Sequence, residues 1–214
     1  MSRLRLSITM SLDGYVAGPE QSEQNPLGVG GMELHEWFFP LAAFREMHGE
    51  QGGEVNVSTA VVEERRSSVG ATIMGRNMFG PVRGSWGDEA WRGWWGDDPP
   101  YHHPVFVLTH HPRAPLTMAG GTQFHFITAG IHAALEQARS AAGGRDVRVG
   151  GGVATIRQYL REGLIDELHL VMPPVLLGCG EHLLQGIDLR ALGYACTRSV
   201  AGERATHLYL RRER

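Results

Sequence analysis

The chain has 214 residues, 42% hydrophobic and 20% charged, with a formal net charge of −3 at pH 7, so no basic footprint for nucleic acid is present. Its 20 strongly basic residues are all arginine, which excludes lysine Schiff-base chemistry and any phosphate loop that depends on lysine. A chain of this length buries roughly 70% of its unfolded surface, enough for one α/β domain over residues 1–214 without disulfide staples.

Residues 3–10, RLRLSITM, alternate with Leu4, Leu6, Ile8 and Met10 on one face, which predicts a strand that the Asp13-Gly14 turn ends. Ser7, Thr9, Ser11 and Asp13 interrupt the apolar run too early for a secretory signal, and no stretch approaches the roughly 18 apolar residues of a membrane span. A soluble, cytoplasmic protein is expected, with Cys179 and Cys196 as reduced, small, buried thiols that lack metal-ligand spacing. Between Gly18 and Gly53 a polar excursion surrounds the apolar patch LHEWFFPLAAF, read as one short helix.

The segment NVSTAVVEERRSSVG predicts a helix begun by Asn56 or Ser58 and stopped near Gly70. ATIMGR follows as a buried strand, then a long loop with Trp86, Trp91, Trp94 and Trp95. PVFVLTHHP and TQFHFIT predict two more strands, and GIHAALEQARSAAGG a helix with a glycine stop. Strand 146–149, helix 153–162 and strand 166–172 come next, and LGYACTRSVAG with ATHLYLRRER close the chain as an antiparallel hairpin. Strands alternating with helices predict a three-layer α/β fold, a largely parallel sheet covered on both faces with the hairpin at one edge. In such a sheet ligands lie beyond the carboxyl ends of the strands, here the loops after residues 10, 76, 110 and 149.

One of these loops carries Gly150-Gly151-Gly152, between a strand and a helix. Bare backbone before a helix favours a close anion through aligned N–H groups and the macrodipole, although a tight connection without ligand explains the triplet as well. The dinucleotide fingerprint GxGxxG is not met, because Thr155 stands where its third glycine would be.

SLDGYVAG after the first strand, IMGRNMFG, VLTHHPR and the glycine triplet together resemble the dihydrofolate reductase superfamily, and most closely the branch of the reductase domain of riboflavin biosynthesis. The resemblance extends over nearly the whole chain, including the PVLLG run of RQYLREGLIDELHLVMPPVLLGCG. It implies a dihydrofolate reductase-like fold and an NADPH-dependent reductase of a small heterocyclic or carbonyl substrate, similar to dihydrofolate reductase and to 5-amino-6-(5-phosphoribosylamino)uracil reductase. Carried over, Gly150, Gly151, Gly152, Val153 and Ala154 would cradle the pyrophosphate, and Gly75, Arg76 and Asn77 would take the adenosine-side phosphates. Thr109, His110 and His111 would follow the adenine ribose and its 2′-phosphate, with Val16 and Ala17 at the nicotinamide. A planar guanidinium such as that of Arg76 suits the 2′-phosphate, with a surface salt bridge as its alternative role.

The resemblance breaks at the chemistry. Where dihydrofolate reductase carries a carboxylate on the helix before MGR, this chain has the vicinity of Thr59, and Glu63, one turn on, is the candidate substitute within an EERR run that also reads as a solvated face. Where the riboflavin enzymes follow SLDG with lysine, this chain has Tyr15; Asp13 is the second catalytic candidate or simply a strand-ending turn. Trp37 and the tryptophan loop are candidates to wall an aromatic substrate, or to fill a core or a subunit interface. The histidine pairs at 102–103 and 110–111 point to opposite strand faces, so no shared metal is expected. Edge strands and exposed tryptophans are compatible with a homodimer. A nucleotide-binding protein that has lost the chemistry, and a lectin-like or structural α/β module, are the competing readings.

Overall fold

The computed structural model describes residues 2–81, 84–87 and 90–213. Among these, nine strands form one sheet in the order β4-β5-β3-β2-β6-β1-β7-β9-β8, the mixed sheet of a dihydrofolate reductase-like α/β fold. Two compact units divide the chain, 1–6 with 69–164 and 7–68 with 165–214, so that β1 (Leu4–Thr9) begins in the first and ends in the second.

In the first unit β2 (Val69–Gly75), β3 (Pro104–Leu108), β5 (Gln123–Ile127) and β6 (Asp146–Gly151) are parallel, and the short β4 (Leu116–Thr117) runs antiparallel to β5. Every residue of β2 is buried, the continuous apolar pattern of a strand covered on both faces. α3 (Arg76–Phe79) is a single turn directly after β2. α4 (Gly130–Ala141) packs on β2, β3 and β6, and stops because Gly143 takes the left-handed φ of 59° that a side chain disfavours. α5 (Val153–Arg161) buries Ile156, Tyr159 and Leu160. On the face that carries Met74, Val105 and Val107, Phe79, Met118 and Phe124 form a core that Trp86 and Trp91 cover.

The second unit contains the antiparallel strands β7 (Glu167–Met172), β9 (Thr206–Arg212) and β8 (Tyr194–Ala201). α2 (Val57–Arg66) starts where Asn56 and Thr59 exchange side-chain and backbone hydrogen bonds, a reciprocal capping box. Its Val62 packs with Val171, Trp37, Leu41, Ala43 and Ala205. The LHEWFFPLAAF patch is not one helix but a 3-10 turn (Gly31–His35) and α1 (Ala42–Met47). Pro40 lies between them, and the residue before a proline avoids helical φ/ψ. Cys179 and Cys196 are exposed rather than buried: Cys179 sits between two glycines of an open loop, and Cys196 lies on the edge strand β8. No helix among the described residues is long and apolar enough to cross a membrane.

Each unit has one buried tyrosine tied to a distant carbonyl. Tyr159 donates to Ile131 O at 2.8 Å, and Tyr194 to Ile165 O at 2.7 Å. Burial raises both phenols above their ordinary value, Tyr194 to about 12. Tyr159→Phe and Tyr194→Phe each leave a carbonyl unsatisfied, so each should lower unfolding free energy by about 1–2 kcal/mol in urea titrations. An unchanged midpoint would show that water replaces the lost donor.

Candidate functional site

Three of the segments singled out in the sequence come together because β3, β2 and β6 are parallel neighbours. Gly75, the last residue of β2, pairs with Leu108 of β3, and Met74 pairs with Gly151 of β6 after a register shift. The turns at 75–77, 109–111 and 150–154 therefore leave adjacent strands at their carboxyl ends.

Backbone approaches backbone closely in this row. A Cβ on Gly75 would overlap the Thr155 hydroxyl and stand 3.5 Å from the Gly152 nitrogen. Gly151 has a φ of 133°, and a Cβ there would meet Met78 Sδ at 3.0 Å. The Gly151–Gly152 peptide bond is cis. Gly152 differs: it is the N-cap of α5, makes no side-chain capping bond, and a Cβ on it would find its nearest neighbour, Asn77 Cβ, 4.0 Å away. The first-turn N–H groups of an α-helix have no acceptor within the helix, so a helix start without a side-chain cap offers donors and positive potential. Val153 is buried and Ala154 exposed at this start.

Arg76 and Arg113 converge on one indole. The Arg76 guanidinium lies 3.6 Å and that of Arg113 4.9 Å from the Trp86 ring centre. Arg76 also donates to Gly84 O, and Arg113 to Trp91 O at 2.8 Å. Three indole N–H groups fasten the tryptophan loop: Trp86 to His111 O at 2.8 Å, Trp91 to Phe79 O at 2.8 Å, and Trp94 to Asn77 O at 3.3 Å. Asn77 is itself exposed. Thr109 is buried and its hydroxyl closes its own turn, accepting from the His111 N–H at 3.1 Å, whereas His110 is exposed.

The other candidates belong to the second unit. Asp13 accepts from Ser11 Oγ at 2.6 Å and from the Leu177 and Gly178 amides at 3.1 and 2.7 Å. The Ser11 hydroxyl, more than either amide, holds this carboxyl below its ordinary range against partial desolvation. Asp13 thus ties the SLDG turn to the PVLLG loop and is a carboxylate at neutral pH. Val16 and Ala17 are buried and bonded to Glu181, from Val16 N to its carbonyl at 3.0 Å and from its N to Ala17 O at 2.9 Å. Trp37 is 6% exposed, packed in the core and donating to Thr9 Oγ1 at 3.2 Å. Glu63 is on the exposed face of α2, whose buried face carries Ser58, Thr59, Val61 and Val62. The Thr59 hydroxyl is committed to the helix cap and donates to Glu54 O at 3.0 Å.

Sequence reasoning passed over one polar cluster. Ser7, His169, His207 and Ser58 form a continuous chain in the second unit. Its signal was there in outline, since each histidine interrupts an apolar alternation, in ELHLVM and in THLYL.

The nine-stranded mixed sheet with its covering helices is an α/β fold of the dihydrofolate reductase type. The chain belongs to the RibD C-terminal domain family, whose model matches residues 3–208. No curated protein matches it. Among solved structures it is similar to a riboflavin biosynthesis protein of Shewanella sp. PV-4, at 22% identity and a TM-score of 0.61 over 99% of both chains. It is also similar to Enterococcus faecalis dihydrofolate reductase complexed with NADP(H) and RAB-propyl, at 11% identity and a TM-score of 0.55 over 99% of this chain and 97% of that one. A third is the Thermotoga maritima diaminohydroxyphosphoribosylaminopyrimidine deaminase/5-amino-6-(5-phosphoribosylamino)uracil reductase, at 12% identity and a TM-score of 0.55. There 99% of this chain covers 57% of the longer protein.

The contact between Gly75 and Thr155 is open to a double-mutant cycle. Gly75→Ala should destabilise by about 1–3 kcal/mol, and Thr155→Ala in the same chain should recover about half or more of that loss. Strict additivity in urea unfolding would mean that the two residues do not meet.

Proposed function

We propose that the chain, read as one domain over residues 1–214, is an NADPH-dependent reductase of a small heterocyclic or carbonyl substrate. The observation that carries this reading is the row formed by the ends of β3, β2 and β6, with α5 starting at a glycine that has open space beside it.

The residues present fit a dinucleotide phosphate. Gly150, Gly151, Gly152, Val153 and Ala154 would hold the pyrophosphate through main-chain N–H groups, where a side chain at residue 152 would take the room. Gly75, Arg76 and Asn77 would receive the adenosine-side phosphates, and Thr109, His110 and His111 the ribose with its 2′-phosphate. Arg113 joins this set, because two guanidiniums on Trp86 concentrate planar positive charge that suits a phosphate dianion. Bound there, NADPH supplies the hydride. The support from relatives is of the same kind, since the Enterococcus protein is a dihydrofolate reductase complexed with NADP(H) and the Thermotoga protein a pyrimidine reductase.

One observation favours a second reading, a nucleotide-binding protein without efficient chemistry. Of the two candidate acids, Asp13 is held as a carboxylate by three donors and Glu63 faces outward. Single-turnover oxidation of bound NADPH against pterins, flavins, quinones and aldehydes separates the two, because a pure binder never consumes its cofactor.

Gly152→Ala is the cleaner steric probe, since Gly151 has a φ of 133° and any side chain there is strained. It should weaken NADPH binding by about tenfold or more in calorimetry with little change in stability, by the loss of close approach at the helix start. Arg76→Ala should cost NADPH about 1.5–3 kcal/mol and NADH much less. Wild-type affinity in the first variant, or equal losses for both cofactors in the second, would refute the cradle as drawn.

A further inference from the structure

We propose that the Ser7, His169, His207 and Ser58 chain is an acid-sensitive latch that fastens α2 to the sheet of its own unit and is weakened as the two imidazoles take up protons.

The geometry of the chain is continuous. Ser7 Oγ lies 3.0 Å from His169 Nδ1, His169 Nε2 lies 3.1 Å from His207 Nδ1, and His207 Nε2 lies 2.9 Å from Ser58 Oγ. His169 is 5% exposed and His207 fully buried. Strand register explains why they meet: His169 pairs with Tyr209 and Val171 with His207, so the two histidines are diagonal neighbours on one face. Their rings stack, the Tyr209 ring stacks on His169, and Trp37 meets His207 edge-on at 5.5 Å. Ser58 belongs to α2, whereas the other three residues belong to strands β1, β7 and β9.

Proton counting gives the switch. A neutral imidazole has one donor and one acceptor, so all three gaps are filled when every N–H and O–H points the same way along the chain. A second proton on the pair would set two N–H groups against each other at 3.1 Å. The first extra proton leaves that bond intact, with a serine hydroxyl turned to accept, and is opposed by burial and by the charges of Arg65 and Arg198. The groups facing the pair include the hydroxyls of Ser7 and Ser58, the Tyr209 phenol and the Trp37 indole, and the charges acting on His207 are those of Arg65 on α2 and Arg198 on β8. Of the two carboxylates on the same helix, Glu63 is exposed and Glu64 is engaged by Arg198 at 3.4 Å. Burial first, then Arg65 and Arg198, lower the His207 imidazole from 6.5 to about 4.

The direction of the pH effect follows. The folded latch binds its proton more weakly than the opened chain does. Its stabilisation is therefore complete above pH 6.5 and is lost as pH falls from 6.5 towards about 4. Ser58 at one end of the chain is 3% exposed and Ser7 at the other is half-buried, so the chain joins α2 to the sheet through the interior of the unit.

The latch is testable on the full chain without knowledge of any ligand. His103 in the other unit is also lowered to about 4, by burial first and then by Arg148, and burial lowers His125 and His35 as well, so global melting would mix several sources and the readout must be local to α2. Hydrogen exchange of residues 57–66, corrected for intrinsic rates, should show the opening equilibrium rising about tenfold per pH unit below about pH 6 in the wild type. His207→Gln, which keeps a hydrogen-bonding group but does not titrate, should flatten that slope. A wild-type slope of zero, or an equal slope in the variant, overturns the proposal. Should the variant fail to fold, NMR titration of the wild-type imidazole protons decides: a His207 resonance that stays neutral below pH 5 is expected, and one that titrates near 6.5 overturns it.

Discussion

The constraint on which the rest of the first unit depends is the lack of room at the ends of β2 and β6. Two parallel strands and the start of a helix meet where Gly75 touches Thr155 and Gly151 touches Met78, and neither glycine position tolerates a Cβ without displacement. Parallel strands all deliver their carboxyl ends to one side, so a chain that packs them this tightly must leave bare amides there. The helix that follows adds an end with unsatisfied donors, and Gly152 supplies no side chain to cap them. An anion is the complement to such an end, and close packing is what makes the approach of that anion a backbone matter.

Much of this frame was legible in the sequence, for reasons that differ by element. Alternation and all-apolar runs marked β1, β2, β6 and β7 because burial on one or both faces leaves little choice of residue. Asn56 and Gly143 marked helix ends because capping geometry selects their residue types. The Trp37 to Phe39 patch was not legible as structure: hydrophobicity was visible, but Pro40 divides the segment and tertiary packing decides what each aromatic ring faces. The two thiols failed for a similar reason, since a small apolar residue type says nothing about an edge strand or an open loop.

For the site, the sequence showed the right loops and one misleading comparison. A dinucleotide fingerprint asks for a glycine where Thr155 stands, but the close approach that glycine would serve is made from the opposite side, by Gly75. The need for space is met across the contact rather than along the motif, which a linear pattern does not register. Arg113 and the histidine pair escaped for a further reason. Their partners lie far along the chain: Trp91, 22 residues from Arg113, reaches it through the packing of two loops, and His169 and His207, 38 residues apart, meet through strand register.

The two units handle charge in opposite ways. The first gathers guanidiniums and first-turn amides around its strand ends, an arrangement whose positive potential a negative ligand would complement. The second satisfies its polar groups from within: the Thr59 hydroxyl serves the helix cap, the Asp13 carboxylate accepts from Ser11 and two amides, and His169 and His207 share protons with two serines. A carboxylate at the position of Thr59 would stand in the first turn of α2, a favourable place for an anion. It would also bring a negative charge to the residue next to Ser58, raising the proton affinity of His207 and opposing the lowering that burial, Arg65 and Arg198 produce. The neutral histidine chain and the uncharged helix start are therefore physically consistent with each other, and a family member that carried the acid would need a different interior beneath α2.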